Sequence, residues 1–383
     1  MSKSKWLSVW GAAPSYTEFR AAEYAKDVTL RYIIRTAAGG NKLRLWLSNY
    51  CGTEAVTFTR IVVSTSSGGN TADPTRNVTV TLNGSERITL AAGEERFTDA
   101  VDFKVAAGEE IAVSIYLGDF TSMQCGQWLQ GPVARYFVCK GDHAADRELP
   151  VELTVGTIDV CYLCGIDLLT DENARAVITY GDSITAQAWP ERLMQLYFDS
   201  GEKTCVVRRA VGGSRVLHRY LCETYRHYGL SGKERFEREI EAASGADTVL
   251  ILHGINDIIH PDPSGSNPFR PMSDFPTAAG LIAGLTDYVE TAHRHGLKAL
   301  LCTLTPFKGW STYAGFREEV RHELNAWIRS NDIADGYIDF DAAVRDELDS
   351  DRYAPPYDSV DHLHPNYEAT AAMAKTAFAA LKK

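Results

Sequence analysis

Hydrophobic and polar positions follow different patterns in the two halves of the chain. From about Val28 to Leu169, short apolar-rich runs such as VTLRYIIRT, IAVSIYL and ARYFV are separated by turn-forming residues. Many short strands with turns between them are typical of an antiparallel β-sandwich. The pattern predicts an all-β, jelly-roll-like sandwich domain over residues 1–169. Within it, Gly39-Gly40-Asn41 lies between VTLRYIIRT and KLRLWLSN and predicts a hairpin.

Beyond about Asp171, apolar runs alternate with segments of helical periodicity. The runs AVITY, TCVVRRAV, DTVLILHG, LKALLCTLTP and GYIDF predict five strands. One intervening helix is predicted from about Trp189 to Ser200, and another over 278–295, ended by Gly296. Strand and helix in alternation indicate a parallel sheet covered on both faces. We therefore predict an α/β fold over residues 170–383, a flavodoxin-like, three-layer α/β/α domain.

Ligands of such sheets bind beyond the carboxyl ends of the strands, so the residues there are candidates for chemistry. Ser183 follows the first strand, and Asp361 and His364 follow the fifth. A serine hydroxyl becomes a nucleophile when a base removes its proton, and histidine is suited to that task near neutral pH. Asp361, three residues before His364, is within reach of the imidazole and would orient it. These residues predict a catalytic triad for acyl transfer.

Hydrogen-bond donors that could stabilise the oxyanion formed during acyl transfer lie after the ends of other strands. Gly213 follows the second strand and offers a backbone N–H that a ligand can approach closely. Asn256 follows the third strand and offers a side-chain amide, and the N–H of Ser183 is a third donor at a helix start. The predicted oxyanion hole therefore consists of Ser183, Gly213 and Asn256.

Four segments, GDSI, GGSR, GIND and DHLHP, together resemble the four conserved blocks of the GDSL or SGNH hydrolases. The resemblance covers about Ala174 to Lys383 and places the family's serine, glycine, asparagine, aspartate and histidine on the five residues named above. The N-terminal half also resembles the β-domain that precedes the hydrolase in one subgroup. Three positions depart from the family pattern: Ser214 stands where the second block usually has asparagine, Gly212 directly precedes Gly213, and His253 precedes GIND where the subgroup often has an acidic residue.

The resemblance implies a serine esterase that hydrolyses carboxylic esters through an acyl-enzyme. We expect short acyl groups, such as acetyl, on a carbohydrate or another polar alcohol. Trp310, in the loop after the fourth strand, and Trp128, on a loop of the β-domain, are candidate substrate-binding residues. The alternatives are a lipase or lysophospholipase, an acyltransferase that uses the same residues, and a carbohydrate-binding protein with an inactive hydrolase domain.

Composition and net charge limit the classes of partner and cofactor that the protein is expected to bind. The formal net charge is −11 at pH 7, which argues against nucleic acid and anionic membranes as partners. The eight cysteines are scattered through the chain, as reduced buried thiols are, and no histidine pair has the spacing of a metal site. We expect no metal and no cofactor. No signal peptide or membrane span is evident, so a cytoplasmic location is expected unless a signal has been removed. The oligomeric state stays open.

Overall fold

The computed structural model describes residues 4–17, 24–150, 153–154 and 158–382. The run VELTVGTIDV at residues 151–160, for which the sequence also predicts a strand, lies partly outside these residues. By its internal contacts the chain divides into two compact units. The first comprises residues up to Ala176 with Tyr197–Val207 and Ala243–Gly245, and the second comprises the rest. The predicted domain limits, 1–169 and 170–383, stay a prediction.

The first unit is built from short strands. They are Ser4–Gly11 (β1), Ser15–Tyr16 (β2), Tyr24–Ala25 (β3), Val28–Arg35 (β4), Gly40–Ser48 (β5), Val56–Phe58 (β6), Arg60–Ser66 (β7), Val78–Thr79 (β8), Ile88–Leu90 (β9), Glu95–Phe97 (β10), Val101–Val105 (β11), Glu110–Leu117 (β12), Thr121–Ser122 (β13), Cys125–Leu129 (β14), Ala134–Lys140 (β15), Leu153–Thr154 (β16), Ile158–Cys161 (β17) and Leu163–Asp171 (β18). Pro74–Arg76 forms a 3₁₀ turn.

Two larger antiparallel sheets organise this unit. One has the order β16-β15-β4-β12-β7-β8, and the other has the order β1-β18-β5-β10, with β11 also paired to β5. The first strand of the unit thus pairs with its last. The antiparallel all-β class predicted for this half is confirmed, whereas the jelly-roll connection order stays a prediction.

The predicted hairpin at Gly39-Gly40-Asn41 is wrong. The strands on either side, β4 and β5, belong to different sheets, with β4 paired to β12 and β15. A side chain at Gly39 would place its first carbon 2.8 Å from the carbonyl oxygen of Val105, and one at Gly40 would meet Leu168 at 2.9 Å. The glycines therefore allow close passage between neighbouring backbones as the chain changes sheets, rather than a two-residue turn.

The second unit holds most of a five-stranded sheet with helices between the strands. The strands are Arg175–Gly181 (β19), Thr204–Ala210 (β20), Ala246–Leu252 (β21), Lys298–Cys302 (β22) and Gly336–Ile338 (β23). The α-helices are Ser183–Ala186 (α1), Trp189–Ser200 (α2), Gly232–Glu241 (α3), Ile255–Ile259 (α4), Ala278–Arg294 (α5), Gly315–Ser330 (α6), Phe340–Val344 (α7) and Tyr367–Ala380 (α8). Glu223–Tyr228 and Met272–Asp274 are 3₁₀ segments.

The strand order in this sheet is β20-β19-β21-β22-β23, and β21, β22 and β23 run parallel to one another. Numbered along the chain, this is the order 2-1-3-4-5 of flavodoxin-like folds. All five predicted strands are confirmed, and α2 has the predicted bounds. Residues in β20 are buried throughout, because helices cover both faces of such a sheet.

Two further expectations concern single features. The eight cysteines are in the thiol form, and seven of them are buried. Among the described residues, no helix is both long enough and apolar enough to cross a membrane.

Candidate active site

The nucleophile candidate lies at a tight junction between β19 and α1. A side chain at Gly181 would place its first carbon 2.2 Å from the carbonyl oxygen of Leu252, so only glycine lets β19 end this close to β21. The carboxylate of Asp182 then accepts a hydrogen bond from the N–H of Ile184 at 3.0 Å and caps α1. Ser183 is the first residue of that helix and is half-buried. This turn holds its hydroxyl at the carboxyl edge of the sheet.

His364 reaches this hydroxyl from the segment before α8. Its Nε2 lies 2.8 Å from Oγ of Ser183, and its Nδ1 lies 2.6 Å from Oδ2 of Asp361. With the Nδ1 proton donated to Asp361, Nε2 is left as an acceptor for the serine hydroxyl. The structure therefore brings the three residues of the predicted triad into one row of hydrogen bonds.

Asp361 is itself held in place by its neighbours. Its Oδ1 accepts the backbone N–H groups of Leu363 and His364, each at 3.0 Å, and the hydroxyl of Ser359 at 2.7 Å. Burial alone would raise the pKa of Asp361, but the hydrogen bonds from His364, Ser359 and the backbone hold it well below its ordinary value. Asp361 is therefore a carboxylate throughout the range in which a histidine titrates.

Gly213 occupies a turn after β20. The N–H of Ser214 bonds the carbonyl of Val211 at 3.2 Å, and Gly213 within this turn has φ +74°, which favours glycine. A side chain at Gly213 would also lie 2.1 Å from the ring of Tyr228. At Gly212 the nearest atom to such a carbon is Cβ of Ser183, 3.8 Å away. The glycine pair therefore lies beside the nucleophile, and Tyr228 covers its far side.

Backbone donors remain open at this point of the site. The N–H groups of Ser183, Gly212 and Gly213 meet no hydrogen-bond acceptor in the described part of the chain. Helix starts and glycine turns commonly leave such donors for an anion.

Asn256 stands in α4, after β21. Its side-chain amide is buried and donates to the carbonyl of Ser214 at 3.0 Å, which ties α4 to the glycine turn. Within the described residues the amide makes no other hydrogen bond, so one of its two N–H groups remains. The next residue, Asp257, accepts the N–H groups of Val216 and Leu217 at 2.7 and 3.0 Å. Asn256 and Asp257 together fix the segment that follows Gly213.

A buried polar network lies beneath these residues and was missed from the sequence. Arg235 of α3 donates to the carbonyl of Gly181 at 2.7 Å and to Oγ of Ser214 at 3.2 Å, and it pairs with buried Glu239. His253 lies 3.1 Å from Oγ of Ser214 through Nε2. In the sequence, Arg235 is one charged residue of an amphipathic helix, and no local signal separates it from a solvent-exposed arginine.

The two tryptophan candidates differ in what the structure shows. Trp310 is half-buried, and its ring lies edge-on to the imidazole of His364 with centroids 6.4 Å apart. It therefore borders the triad, in keeping with a pocket role. Trp128 lies on strand β14 of the first unit rather than on the expected loop, because its segment pairs with β17. Its role in substrate binding stays a prediction.

Three histidines of the second unit each have a protein partner. His253 lies 3.2 Å from the hydroxyl of Tyr288 through Nδ1, His260 lies 2.8 Å from the hydroxyl of Tyr220, and His362 lies 2.8 Å from Asp358. Burial and the charge of Arg235 lower the pKa of His253 to about 3.

Two other groups in the described residues bring possible ligand atoms within 4.8 Å of one another. They are Glu237, Glu241 and His295, and Glu318, His322 and Asp351. Neither group includes a triad residue.

The sequence model of the GDSL-like lipase/acylhydrolase family matches residues 179–372, which is half of the chain. The chain belongs to this family. An acylhydrolase of this kind is a carboxylic ester hydrolase. No curated protein sequence matches the chain.

Three solved structures are similar to the chain. A GDSL-like lipase from Bacteroides thetaiotaomicron is 16% identical, with 55% of this chain and 88% of the other covered and a TM-score of 0.39. An esterase from a psychrotrophic Pseudoalteromonas is 16% identical, with 54% and 97% covered and a TM-score of 0.39. An acetylxylan esterase from Geobacillus stearothermophilus is 17% identical, with 54% and 93% covered and a TM-score of 0.41. Likeness of this degree does not indicate a substrate.

Asp182→Asn tests the electrostatics of the nucleophile turn. Burial raises the pKa of Asp182 to about 7, and its Oδ2 has no hydrogen-bond partner among the described residues. Between about pH 4 and pH 7 the folded state then binds more protons than the unfolded state, so the wild type loses stability as pH rises. Asparagine does not titrate. The variant should gain stability relative to the wild type across this window, by at most about 1.4 kcal/mol per pH unit.

The measurement is thermal or urea-induced unfolding at pH 5 and pH 8. The control is Asp287→Asn, which removes an exposed aspartate that pairs with Lys233. A stability difference between Asp182→Asn and the wild type that is the same at both pH values contradicts the assignment.

Gly213→Ala and Gly212→Ala form a matched pair that tests the turn. Alanine at 213 would clash with Tyr228 in a backbone conformation that disfavours side chains, and should cost about 1–3 kcal/mol of stability. Alanine at 212 meets only an ordinary contact at 3.8 Å and should stay within about 1 kcal/mol of the wild type. Melting temperatures of the two variants give the comparison, and equal losses would show that the turn is described wrongly.

Proposed function

We propose that the chain is a metal-independent serine esterase in which Ser183 is the nucleophile. The observation that carries the proposal is the hydrogen-bonded row from Ser183 through His364 to Asp361, at 2.8 and 2.6 Å. His364 removes the proton of the Ser183 hydroxyl as Oγ attacks the ester carbonyl carbon. Asp361 keeps Nδ1 protonated and stabilises the imidazolium that forms. His364 then returns the proton to the leaving alcohol as the tetrahedral intermediate collapses to the acyl-enzyme.

Water completes the cycle with the same groups. His364 takes a proton from water, the hydroxide attacks the acyl carbon, and Ser183 leaves as its oxygen regains the proton. The products are a carboxylic acid and an alcohol. An acyltransferase would follow the same steps with a second alcohol in place of water, so the residues alone do not separate the two reactions.

We assign the oxyanion hole to the N–H groups of Ser183 and Gly213 and the amide of Asn256. The support is that the two backbone donors have no acceptor in the described residues and that the amide keeps one free N–H. The bond from Asn256 to the carbonyl of Ser214 holds this amide before substrate arrives. Preorganised donors of this kind stabilise the charge that develops in the transition state.

For the substrate we propose a short acyl group, such as acetyl, on a carbohydrate or another polar alcohol. Trp310 supports this choice, because an indole beside the imidazole of His364 offers an apolar face to a sugar ring or limits the acyl chain. Trp128 is retained as a second candidate contact.

A lipase or lysophospholipase activity is the second candidate. Four large apolar side chains, Leu221, Phe269, Met272 and Phe316, are exposed on segments that follow β20, β21 and β22. A surface with several exposed apolar side chains is a feature of proteins that meet lipids.

Ser183→Ala should abolish ester hydrolysis and leave the fold unchanged. On p-nitrophenyl acetate, we expect kcat to fall by about 10³-fold or more, because nucleophile and base act as a unit. For the same reason His364→Ala should match this loss, and the double variant should add little to it. Ser330→Ala, at the exposed end of α6, is the control. Retention of more than about a tenth of the activity in Ser183→Ala would show that another group is the nucleophile.

A chain-length series separates the two substrate candidates. On p-nitrophenyl esters from acetate to decanoate, an esterase for short acyl groups should lose roughly tenfold or more in kcat/KM between acetate and octanoate. An acetylated oligosaccharide should also be deacetylated. A kcat/KM that rises with chain length favours the lipase candidate instead.

Chelation tests the metal-free mechanism. The proposed steps use only Ser183, His364, Asp361 and the oxyanion donors, so dialysis against EDTA should leave kcat unchanged. An ion at either of the two acidic clusters would affect stability rather than the chemical step. Loss of activity in EDTA that Zn²⁺ or Mn²⁺ restores, with the melting temperature unchanged, would overturn the mechanism.

A further inference from the structure

An aromatic cluster lies against the glycine turn of the active site. It consists of Tyr220, Tyr225, Tyr228, His260 and Arg270, and we call it the arginine–tyrosine cluster. The rings of Tyr225 and Tyr228 stack with centroids 5.5 Å apart, and Tyr220 meets them at 4.9 and 5.4 Å. The ring of Tyr228 fills the space that a side chain at Gly213 would need. The cluster is thus built from loops after β20 and β21 and borders the proposed oxyanion hole.

Arg270 is held firmly in this cluster. Its guanidinium lies 4.2 Å from the ring centroid of Tyr225, and its Nη2 donates to the hydroxyl of Tyr228 at 3.3 Å. Tyr225 is itself anchored, because its hydroxyl accepts the amide of Asn267 at 2.6 Å. Stacking on an aromatic face orients the guanidinium before any ligand arrives.

The guanidinium of Arg270 has no acidic partner among the described residues. No carboxylate oxygen lies within 4.0 Å of it, and its buried Nε has no hydrogen-bond acceptor there. The nearby Arg215 differs, since it pairs with Asp274 at 3.0 Å. The carboxylate of Asp262 is occupied by Ser264 and Ser266. The guanidinium of Arg270 is therefore held in a fixed orientation without an anionic partner in the described part of the chain.

The two histidines near Arg270, His227 and His260, add no charge of their own. Burial, followed by the charge of Arg270, lowers the pKa of His227 to about 4. Burial and the charges of Arg270, Arg215 and Arg317 hold the pKa of His260 well below its ordinary value. Both histidines are therefore neutral at pH 7. In a chain of net charge −11, Arg270 is therefore a cation close to the glycine turn that has no acidic partner among the described residues.

We propose that Arg270 binds a carboxylate of the ester substrate, so that the enzyme prefers esters that carry a second, anionic group. This proposal rests on the proposed function of Ser183 and specifies its substrate class. The planar fork of a guanidinium matches a carboxylate with two parallel hydrogen bonds. Tyr228 contacts both Arg270 and the position that a side chain at Gly213 would take, so the anion subsite would lie one side chain away from the glycine turn. The carboxylate belongs either to the alcohol part or to the acyl part of the ester.

Two matched substrate pairs test the proposal and separate these sources. For the alcohol part, 4-acetoxybenzoate is compared with its neutral methyl ester. For the acyl part, mono-p-nitrophenyl succinate is compared with p-nitrophenyl butyrate. The quantity measured is the ratio of kcat/KM for the charged and the neutral member, for the wild type, Arg270→Gln and Arg270→Lys. The control is Arg219→Gln, since Arg219 is an exposed arginine that already pairs with Glu234.

In the wild type, the charged member of at least one pair should be favoured, and added salt should reduce this preference. Arg270→Gln should lower that ratio by about 10- to 100-fold, as loss of hydrogen bonds to a charged group does. Arg270→Lys, which keeps the charge without the fork, should fall between. Arg219→Gln should leave the ratio unchanged. If Arg270 only supports Tyr228, its variants lower both members of each pair equally, and the proposal is overturned.

A binding measurement keeps this result independent of turnover. Calorimetric titration of 4-acetoxybenzoate or succinate into Ser183→Ala should show binding that Arg270→Gln weakens by at least about tenfold. Absence of binding of both compounds to Ser183→Ala overturns the anion subsite. If the wild type shows no Ser183-dependent hydrolysis of even the neutral esters but these anions bind through Arg270, the proposed function fails and the subsite stands.

Discussion

The hydrogen bond between Ser183 and His364 joins residues 181 positions apart, and the other contacts of the site hold the two residues in place for it. It requires the end of β19 and the segment before α8 to meet at one edge of the sheet. The meeting depends on a steric constraint at Gly181, where any side chain would collide with the carbonyl of Leu252. It also depends on Asp361, which grips two backbone N–H groups of its own turn while it holds the imidazole. A serine and a histidine of ordinary reactivity thereby gain a shared orientation.

Buried charge joins two strand ends of the site, those of β19 and β20. Arg235 reaches the carbonyl of Gly181 and the hydroxyl of Ser214, and Glu239 neutralises it in the interior. Taking such a pair out of water is expensive, and it is tolerated where further hydrogen bonds satisfy the remaining donors. Here those bonds fall on the residues that flank the nucleophile and the glycine turn. Ser214 is the point at which the second block departs from its family pattern, and it is bonded to Arg235, to His253 and, through its carbonyl, to Asn256. Ser214, which stands in place of the family's asparagine, thus takes part in a local hydrogen-bond network.

The loops after the strands give the site its individual character. The sheet and the triad are what a hydrolase of this family needs, whereas Arg270 and its tyrosines come from the connections after β20 and β21. Loops of this kind vary freely because the scaffold does not depend on them for its core. Tyr228 connects the glycine turn with these loops. Its ring lies against Gly213, and its hydroxyl accepts a hydrogen bond from Arg270. The proposed anion subsite and the proposed oxyanion hole therefore share a side chain.

The sequence by itself determined the features that depend on local pattern. Five buried parallel strands read as continuous apolar runs, and α2 appeared with its bounds. Residues at strand ends predicted a triad, because such strands end at a common edge, and the structure places its three members within hydrogen-bonding distance. The tertiary structure alone decided which strands pair and which charges meet. The Gly39-Gly40-Asn41 hairpin was wrong because a turn sequence carries no information on the sheet to which each flanking strand belongs. Arg235 and Arg270 resembled ordinary surface arginines, because burial and the lack of an acidic partner are properties of distant segments brought together, and local periodicity does not encode them.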